Sequence, residues 1–531
     1  MPHHAVEHDN TEPALASKEA TPVEIHQYSD DYENGTIEVK DIAGTNDMGA
    51  HMFTEAANYD SPETEHEKNI VKRRLDRTML PILMFSFTLQ FLDKLSLNYG
   101  SAYTLVQDLN LVGTQYSTVA SAYSYGIVIW AVPANYLIQK YPVSKYTGFM
   151  IFIWGALILS AAATKNFGGI FAVRLILGMA EANMTPAYML ITSMFYKREE
   201  QPFRFFLYVA MNGVATMLGS LFAFGLGHVN HTMLASWQLM FLIIGALNVV
   251  WAAVFLLLVP DTPMQTSWLT PKERVLAVSR TSENMIGVRG TKLKAYQVKE
   301  ALMDPKTWIM AVAGAALGVM SGGLGNFLSA LTKGFGFTGL NATLLQLPTG
   351  AIEVIVLPIA GWVASRYPDV RCVTYAGFSL IALGGFMGTR FTPHKNRWQL
   401  VGSSWLFYTS AIGSVACYNL LATNFAGHTK RSTVNAIWFM VWNASSIAGT
   451  YLFFPHEAPR HLSAITSLIV CQSAFIVSVL VLRQYMSWEN KKRDKEMAAL
   501  GLSRKAVFEE AIRLRFLDKA DIENQYFRYG L

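Results

Sequence analysis

Charge is scarce in this sequence. Only 15% of its 531 residues are Asp, Glu, Lys or Arg, while 52% are hydrophobic and 12% aromatic. Soluble domains carry about a quarter charged residues. A chain this long with so few charges cannot cover a water-facing surface, which argues against a soluble enzyme, a disordered protein and a nucleic-acid binder. Cysteine is scarcer still. Cys372, Cys417 and Cys471 lie in or at the edge of apolar segments, so no disulfide framework is implied. The polar loops lack HExxH, GxSxG and paired Cys/His metal spacing. No catalytic activity, metal or cofactor is therefore expected.

The charge that is present is unevenly spread. Residues 1–67 hold 16 of the 38 acids and, among basic residues, only Lys18 and Lys40. The remainder, 41 basic against 22 acidic residues, carries +19. Such an excess suits the cytoplasmic loops of a membrane protein. Residues 1–67 read as a disordered acidic cytoplasmic tail, and His3, His4 and His8 as solvated side chains within it. The tail has neither a basic n-region nor an apolar h-region, so a signal peptide is not expected. It ends in Lys68, Lys72, Arg73, Arg74 and Arg77, a cluster that places the N-terminus inside.

A span needs about 20 apolar residues to cross about 30 Å of hydrocarbon. Six candidates lie near 78–102, 115–139, 146–164, 168–195, 204–226 and 236–259, and six more near 307–331, 343–365, 372–390, 398–423, 433–454 and 462–486. The expected fold is an all-α membrane protein of twelve transmembrane helices in two pseudo-symmetric six-helix bundles. Its expected parts are an N-terminal bundle over 68–260, a cytoplasmic linker over 261–306, a C-terminal bundle over 307–486 and a cytoplasmic C-terminal tail over 487–531. The loops that this topology puts inside carry seventeen basic residues, against six outside. Both termini are thus expected in the cytoplasm. After the second span the chain reads Lys140-Tyr-Pro-x-x-Lys145, and after the eighth Arg366-Tyr-Pro-x-x-Arg371. One motif in the same loop of two six-span units marks an internal repeat and a gating-loop role for these four basic residues. Two such halves with substrate bound between them near the midplane is the plan of a major facilitator transporter.

Ionisable residues within spans are costly and default to functional hypotheses. Span 1 holds Asp93 and Lys94; span 4 holds Arg174, Gly178 and Glu181 at i, i+4, i+7, on one helix face. At about 1.5 Å per residue, Asp93 lies roughly 13 Å below the outer end of its span, Arg174 roughly 9 Å and Glu181 roughly 20 Å. All three are expected in one cavity with Glu181 nearest the centre; Asp93 and Lys94, about 100° apart, need not both face it. The four charges cancel when ionised. A bound monoanion leaves one negative charge in excess, and protonating a carboxylate removes it. The competing reading is a static Arg174–Glu181 pair that joins helices. Glu353 in span 8 either faces the cavity or bonds a neighbouring helix.

At these residues the sequence resembles the anion:cation symporter family of the major facilitator superfamily, and within it the fungal allantoate permease group. The matching features are Leu92-Asp93-Lys94, Pro133-x-Asn135-Tyr136-Leu137 with Gln139-Lys140, and Arg174-x-x-x-Gly178-x-x-Glu181-x-x-x-x-Pro186. They continue with Tyr196, Glu200, Gln201 and Arg204, with Pro260-Asp261-x-Pro263, with Asn424-x-Ala426-Gly427-x-Thr429-Lys430-Arg431, and with Asp521-x-Glu523-Asn524-x-x-Phe527-x-Tyr529. The resemblance implies proton-coupled import of a small organic anion, such as a carboxylated vitamin or ureide, across a fungal plasma membrane. It gives proton coupling to Asp93 and Glu181, the substrate carboxylate to Arg174, and anion binding to Lys94. One departure stands out: Asn135 and Gln139 replace the Gly and Asp of the general superfamily motif after span 2, so the usual acid-based gate latch cannot form there.

Tyr123, Asn326 and Trp438 are taken as further substrate-binding candidates. Tyr125, Trp130, Asn212, Tyr418, Asn419, Trp442 and Asn443 are other polar or aromatic residues within spans, where helix packing is the commoner role. Asn230 and Asn341 head Asn-x-Thr triplets in loops expected outside and are candidate glycosylation sites. The expected partners are the anion, the proton and the bilayer, with no nucleic acid, and the expected state is a monomer. The alternatives are an exporter of a fungal secondary metabolite and a nutrient sensor that signals through the tail or the 261–306 loop.

Overall fold

The structure, a computed structural model, describes residues 62–197, 200–229, 233–285, 294–367, 370–499 and 519–531. Residues 1–61, including the histidines of the acidic tail, and the candidate acceptor Asn230 lie outside the described residues. The first half of the chain forms α1 (Pro62–Ala102), α2 (Gln115–Lys140), α3 (Val143–Ala161), α4 (Phe167–Glu181), α5 (Met184–Phe195), α6 (Gln201–Leu226) and α7 (Ser236–Leu258). The intervening segment contributes α8 (Pro271–Met285) and α9 (Ala295–Met303). The second half forms α10 (Pro305–Gly334), α11 (Gly339–Leu344), α12 (Leu347–Arg366), α13 (Arg371–Phe391), α14 (Arg397–Ser404), α15 (Ile412–Asn424), α16 (His428–Tyr451) and α17 (Leu462–Ala499). With α4–α5, α11–α12 and α14–α15 each read as one interrupted passage, the two halves supply six passages apiece.

Among the described residues, ten of these passages are long and apolar enough to cross a membrane. The two that fall short are α2 and α16, which pack against each other. Many of their polar side chains are buried: Ser117, Ser121 and Ser124 on α2, and Thr429, Asn443, Ser446 and Thr450 on α16. Outward faces are apolar: Ile243, Leu247, Val250 and Leu257 on α7 are all exposed. An apolar exterior around a polar interior suits a bilayer, where every backbone group must be satisfied within the protein.

The passages run antiparallel. The near end of the bundle carries the start of α1 and the C-terminal residues 519–531; the far end carries the α1–α2 connection. Contacts between the halves close the far end. The Asn98 side chain accepts from the Ser329 amide at 2.9 Å, Tyr116 Oη donates to the Asn326 carbonyl at 2.8 Å, and the Thr118 and Tyr451 hydroxyls lie 3.1 Å apart. Tyr116 meets Phe327 edge-on across the halves, and Phe327 in turn stacks on Phe453 within the second half, centroids 4.5 Å apart. Midway along α6, Gly213 meets Gly350 of α12 backbone to backbone. A Cβ at either position would sit 2.4–2.5 Å from the other's carbonyl oxygen.

Each half is clasped at its near end by ion pairs. In the first, Glu200 pairs with Lys72 of α1 and Arg280 of α8, and Arg204 grips Asp76 at 2.7 Å while its guanidinium lies 3.9 Å over the Tyr196 ring. In the second, Lys306 and Lys430 share the buried carboxylates of Asp304 and Asp521. Glu300 of α9 adds a bond to Lys430 at 2.8 Å. Asp521 arrives on the C-terminal segment, whose Tyr529 donates to it at 2.8 Å and whose Gly530 amide binds the Asn424 side chain.

Candidate functional site

A cavity of about 230 Å³ lies between the halves, beneath the closed far end. Gln90 and Lys94 of α1, Tyr123 and Ser124 of α2, Glu181 of α4 and Asn212 of α6 line it from the first half. Ser321 of α10, Glu353 of α12, Tyr408, Tyr418 of α15, and Trp442, Asn443 and Ser446 of α16 line it from the second.

Local sequence explains how Glu181 reaches this void. Pro186 has no amide hydrogen and its ring crowds the carbonyl four residues back, so the helix breaks between α4 and α5. Asn183 fills the break: its Nδ2 donates to the carbonyls of Met179 and Ala180, and its Oδ1 accepts from Tyr146 Oη at 2.7 Å. Glu181 is the last residue before the break. Gly178, one turn earlier, lets α2 approach so closely that a Cβ there would sit 2.1 Å from the Tyr123 carbonyl. That approach delivers the Tyr123 hydroxyl to Glu181 Oε1, which also accepts from Gln90 Nε2 at 2.8 Å. Glu181 Oε2 is buried without a hydrogen-bond partner.

Lys94, one helical turn after Gln90, donates to Ser321 Oγ across the halves at 3.2 Å. It is close enough to Glu181 for the two charges to interact. Asp93 points elsewhere, as the helical offset of about 100° between neighbours dictates. Fully buried, it lies 3.9 Å from the Arg174 guanidinium and accepts from Trp154 Nε1 of α3 at 3.2 Å. Arg174 Nε and Nη2 are buried without hydrogen-bond partners, and its guanidinium lies 5.8 Å from the Phe241 ring centre. Arg174 and Asn326 line a small void of about 10 Å³ that shares Lys94, Tyr123, Ser124 and Ser446 with the main cavity.

Of the residues singled out in the sequence, Lys94, Tyr123 and Glu181 therefore share the central cavity, Arg174 and Asn326 flank it, and Asp93 is sealed within the first half. Trp438 is buried between Tyr418 and Trp442, with ring centroids 4.8 Å from each, one layer behind the wall. The four loop cations lie at the near end. Lys140 is exposed beside the Tyr136 and Tyr141 rings, and Lys145 reaches Asp261 at 3.6 Å. Arg366 is exposed, and Arg371 donates its backbone amide to the Leu531 carbonyl at 2.9 Å. Asn341 is exposed on α11 at the far end. Gln90 escaped sequence reasoning; its place one turn before Lys94, on the same face, is the signal that marks it. The carboxylate pair of Asp304 and Asp521 is separated by more than two hundred positions, and no local pattern joins it.

A model of the Major Facilitator Superfamily matches residues 83–450. The chain is 32% identical to an uncharacterized transporter of Schizosaccharomyces pombe, over 97% of this chain and 98% of that one. It is 32% identical to the thiamine pathway transporter of Saccharomyces cerevisiae over 86% of each chain. Allantoate permease of the same yeast is 30% identical over 88% of this chain and 87% of its own. Among solved structures, an inward-facing bacterial homolog of the human lysosomal transporter Spinster superposes with a TM-score of 0.54. That likeness, at 16% identity over 76% of this chain and 95% of that chain, concerns the fold.

Proposed function

The chain belongs to the Major Facilitator Superfamily, and we propose that it is a proton-coupled symporter that imports a small organic anion by alternating access. It is a multi-pass membrane transporter of a small molecule. The near end faces the cytoplasm, the far end the exterior, and the membrane is the fungal plasma membrane.

The observation that carries this reading is the pairing of charges. Asp93 and Arg174 neutralise each other inside the first half, which leaves Lys94 and Glu181 as the charges that the first half turns to the void, with Glu353 held neutral on the opposite wall. An anion on Lys94 takes away Glu181's counter-charge. An uncompensated carboxylate in a site of low dielectric costs several kcal/mol, and a proton removes it. Glu181 Oε2, free of protein partners, is the atom that takes the proton. Tyr123 and Gln90 hold Oε1 in place and keep the carboxyl oriented. Arg174, just behind Lys94, adds positive potential without touching the cargo in this closed-outside state. Opening of the near end exposes the pair to the higher cytoplasmic pH; Glu181 releases its proton, Lys94 regains its partner, and the anion leaves.

The test is uptake into liposomes under an imposed proton gradient. Glu181→Gln is expected to abolish accumulation against a concentration gradient while sparing exchange of cargo across the membrane. Accumulation that persists in this variant refutes the assigned role.

A further inference from the structure

Residues 519–531 run through turns without a helix, yet Ala520, Asp521, Asn524 and Tyr529 are buried. Side chains at helix ends hold this segment by its backbone. Asn490 of α17 donates to the Tyr529 carbonyl at 2.9 Å and accepts from the Tyr529 amide at 3.0 Å. Asn424 of α15 treats Gly530 the same way, at 3.2 and 2.8 Å. Arg493 of α17 donates to the carbonyls of Asn524 and Phe527 at 3.2 and 2.9 Å, and the Arg371 amide of α13 donates to that of Leu531 at 2.9 Å. A side-chain amide that meets both polar groups of one residue reproduces the pairing of a strand edge, the mode by which extended peptides are captured.

Two side chains of the segment supply specificity. Asp521 joins Lys306 of α10 to Lys430 of α16 and accepts from the Ala426 amide at 3.3 Å. The Tyr529 ring centre lies 3.9 Å from Lys306 Nζ and 4.9 Å from the Arg493 guanidinium, and the Phe425 ring lies 4.8 Å from the same Nζ. These partners all belong to the second half, and they include the near ends of α10, α13, α15, α16 and α17. We propose that the near end of the second half is a peptide-binding site, with residues 519–531 as its tethered ligand: an extended acidic segment with an aromatic residue at its far end. Occupancy ties the five helix ends into one body. In the transport reading above, on which this last step rests, the tie makes the second half swing as a unit.

Exchange tests this on the full chain, with a protease site placed within residues 500–518 and cut after purification. A fluorescent synthetic peptide of residues 519–531 is expected to replace the cut segment, one copy per chain. The same peptide with Asp521→Asn should bind about thirtyfold more weakly or worse, because it strips Lys306 and Lys430 of a buried counter-charge. With Ile522→Ala it should bind within about twofold, since Ile522 is 48% exposed. Cys372, buried one residue after Arg371, reports on the helix ends. Its alkylation by a water-soluble maleimide should quicken by about tenfold or more when the peptide is washed away, and slow again when it is restored. Should the emptied protein aggregate, the two variant peptides, compared while the site is full, still decide. A cut segment that never exchanges, an Asp521→Asn peptide that binds as well as the wild type, or alkylation indifferent to the peptide overturns the proposal. None of these readouts uses cargo, so each of those results leaves the transport reading standing.

Discussion

In the first half, α1 and α4 carry Asp93, Lys94, Arg174 and Glu181 into the bundle, and two of these charges are consumed by each other. In the second half, the wall of the cavity is aromatic and hydroxylic, with Glu353 as its acid. The near-end clasps differ in the opposite sense. The first half is held by Glu200, which remains partly solvated, and by an Arg204–Asp76 pair with Asp76 31% exposed. The second half is held by two lysines and two aspartates that are all 0–1% exposed. Charge thus faces the cavity in the middle of the first half and is sealed into a clasp at the base of the second. Stability should depend most on the sealed pairs, those of the second-half clasp above all, and transport on the charges that face the void.

The largest effect should come from the base of the second half. Lys430→Met leaves Asp304 and Asp521 with Lys306 alone, and breaking a buried ion network by removing one partner costs about 3–5 kcal/mol. Thermal unfolding in detergent should show this, while Arg280→Met in the first half should lower Tm by clearly less. An equal drop would break the comparison. Within the first half, Asp93→Asn strands the Arg174 guanidinium and should destabilise by about 3 kcal/mol. Glu181→Gln should leave Tm nearly unchanged and remove proton-driven accumulation. Loss of coupling with full stability in Asp93→Asn would move the proton to the sealed pair.

Tyr123→Phe removes one hydrogen bond to Glu181. It should slow coupled uptake by about fivefold to tenfold, in line with about 1 kcal/mol for such a bond. The pH dependence of the C-terminal clasp is also fixed in sign. Lys306 and Lys430 overcome the opposing effect of burial and hold the Asp521 carboxyl down at about 2. A carboxyl depressed below its usual value near 3.8 contributes stability above that value and loses it as pH falls through about 2. Protease protection of residues 519–531 should therefore stay flat from neutral pH to about 4 and decline only below it. The smallest effect belongs to Lys145→Ala. Its contact with Asp261 is long and its side chain 76% exposed, so unfolding should shift by less than about 0.5 kcal/mol.

The architecture was legible because hydrocarbon imposes a length and a composition on each passage. It was least legible at α2 and α16, where the residues that face the interior dilute the apolar signal. Position along a helix could be counted, so the depth of Glu181 and Lys94 beside the cavity was legible. Azimuth decided the rest: Asp93 and Lys94 are neighbours in sequence and point into different compartments. Arg174 shares a face with Glu181, yet it pairs with Asp93, whose carboxylate also accepts from Trp154. The bonds of Asp521 were invisible because they join the last residues of the chain to helices more than ninety positions away.

The contact of Gly213 with Gly350 has a mechanical meaning. Most helix crossings interlock, and turning one helix against another requires side chains to lift out of their slots. Two bare stretches of main chain have no teeth to disengage. If the halves rock as proposed, such a joint is a bearing around which they tilt with only the Val354, Thr216 and Met217 side chains at its rim to shift.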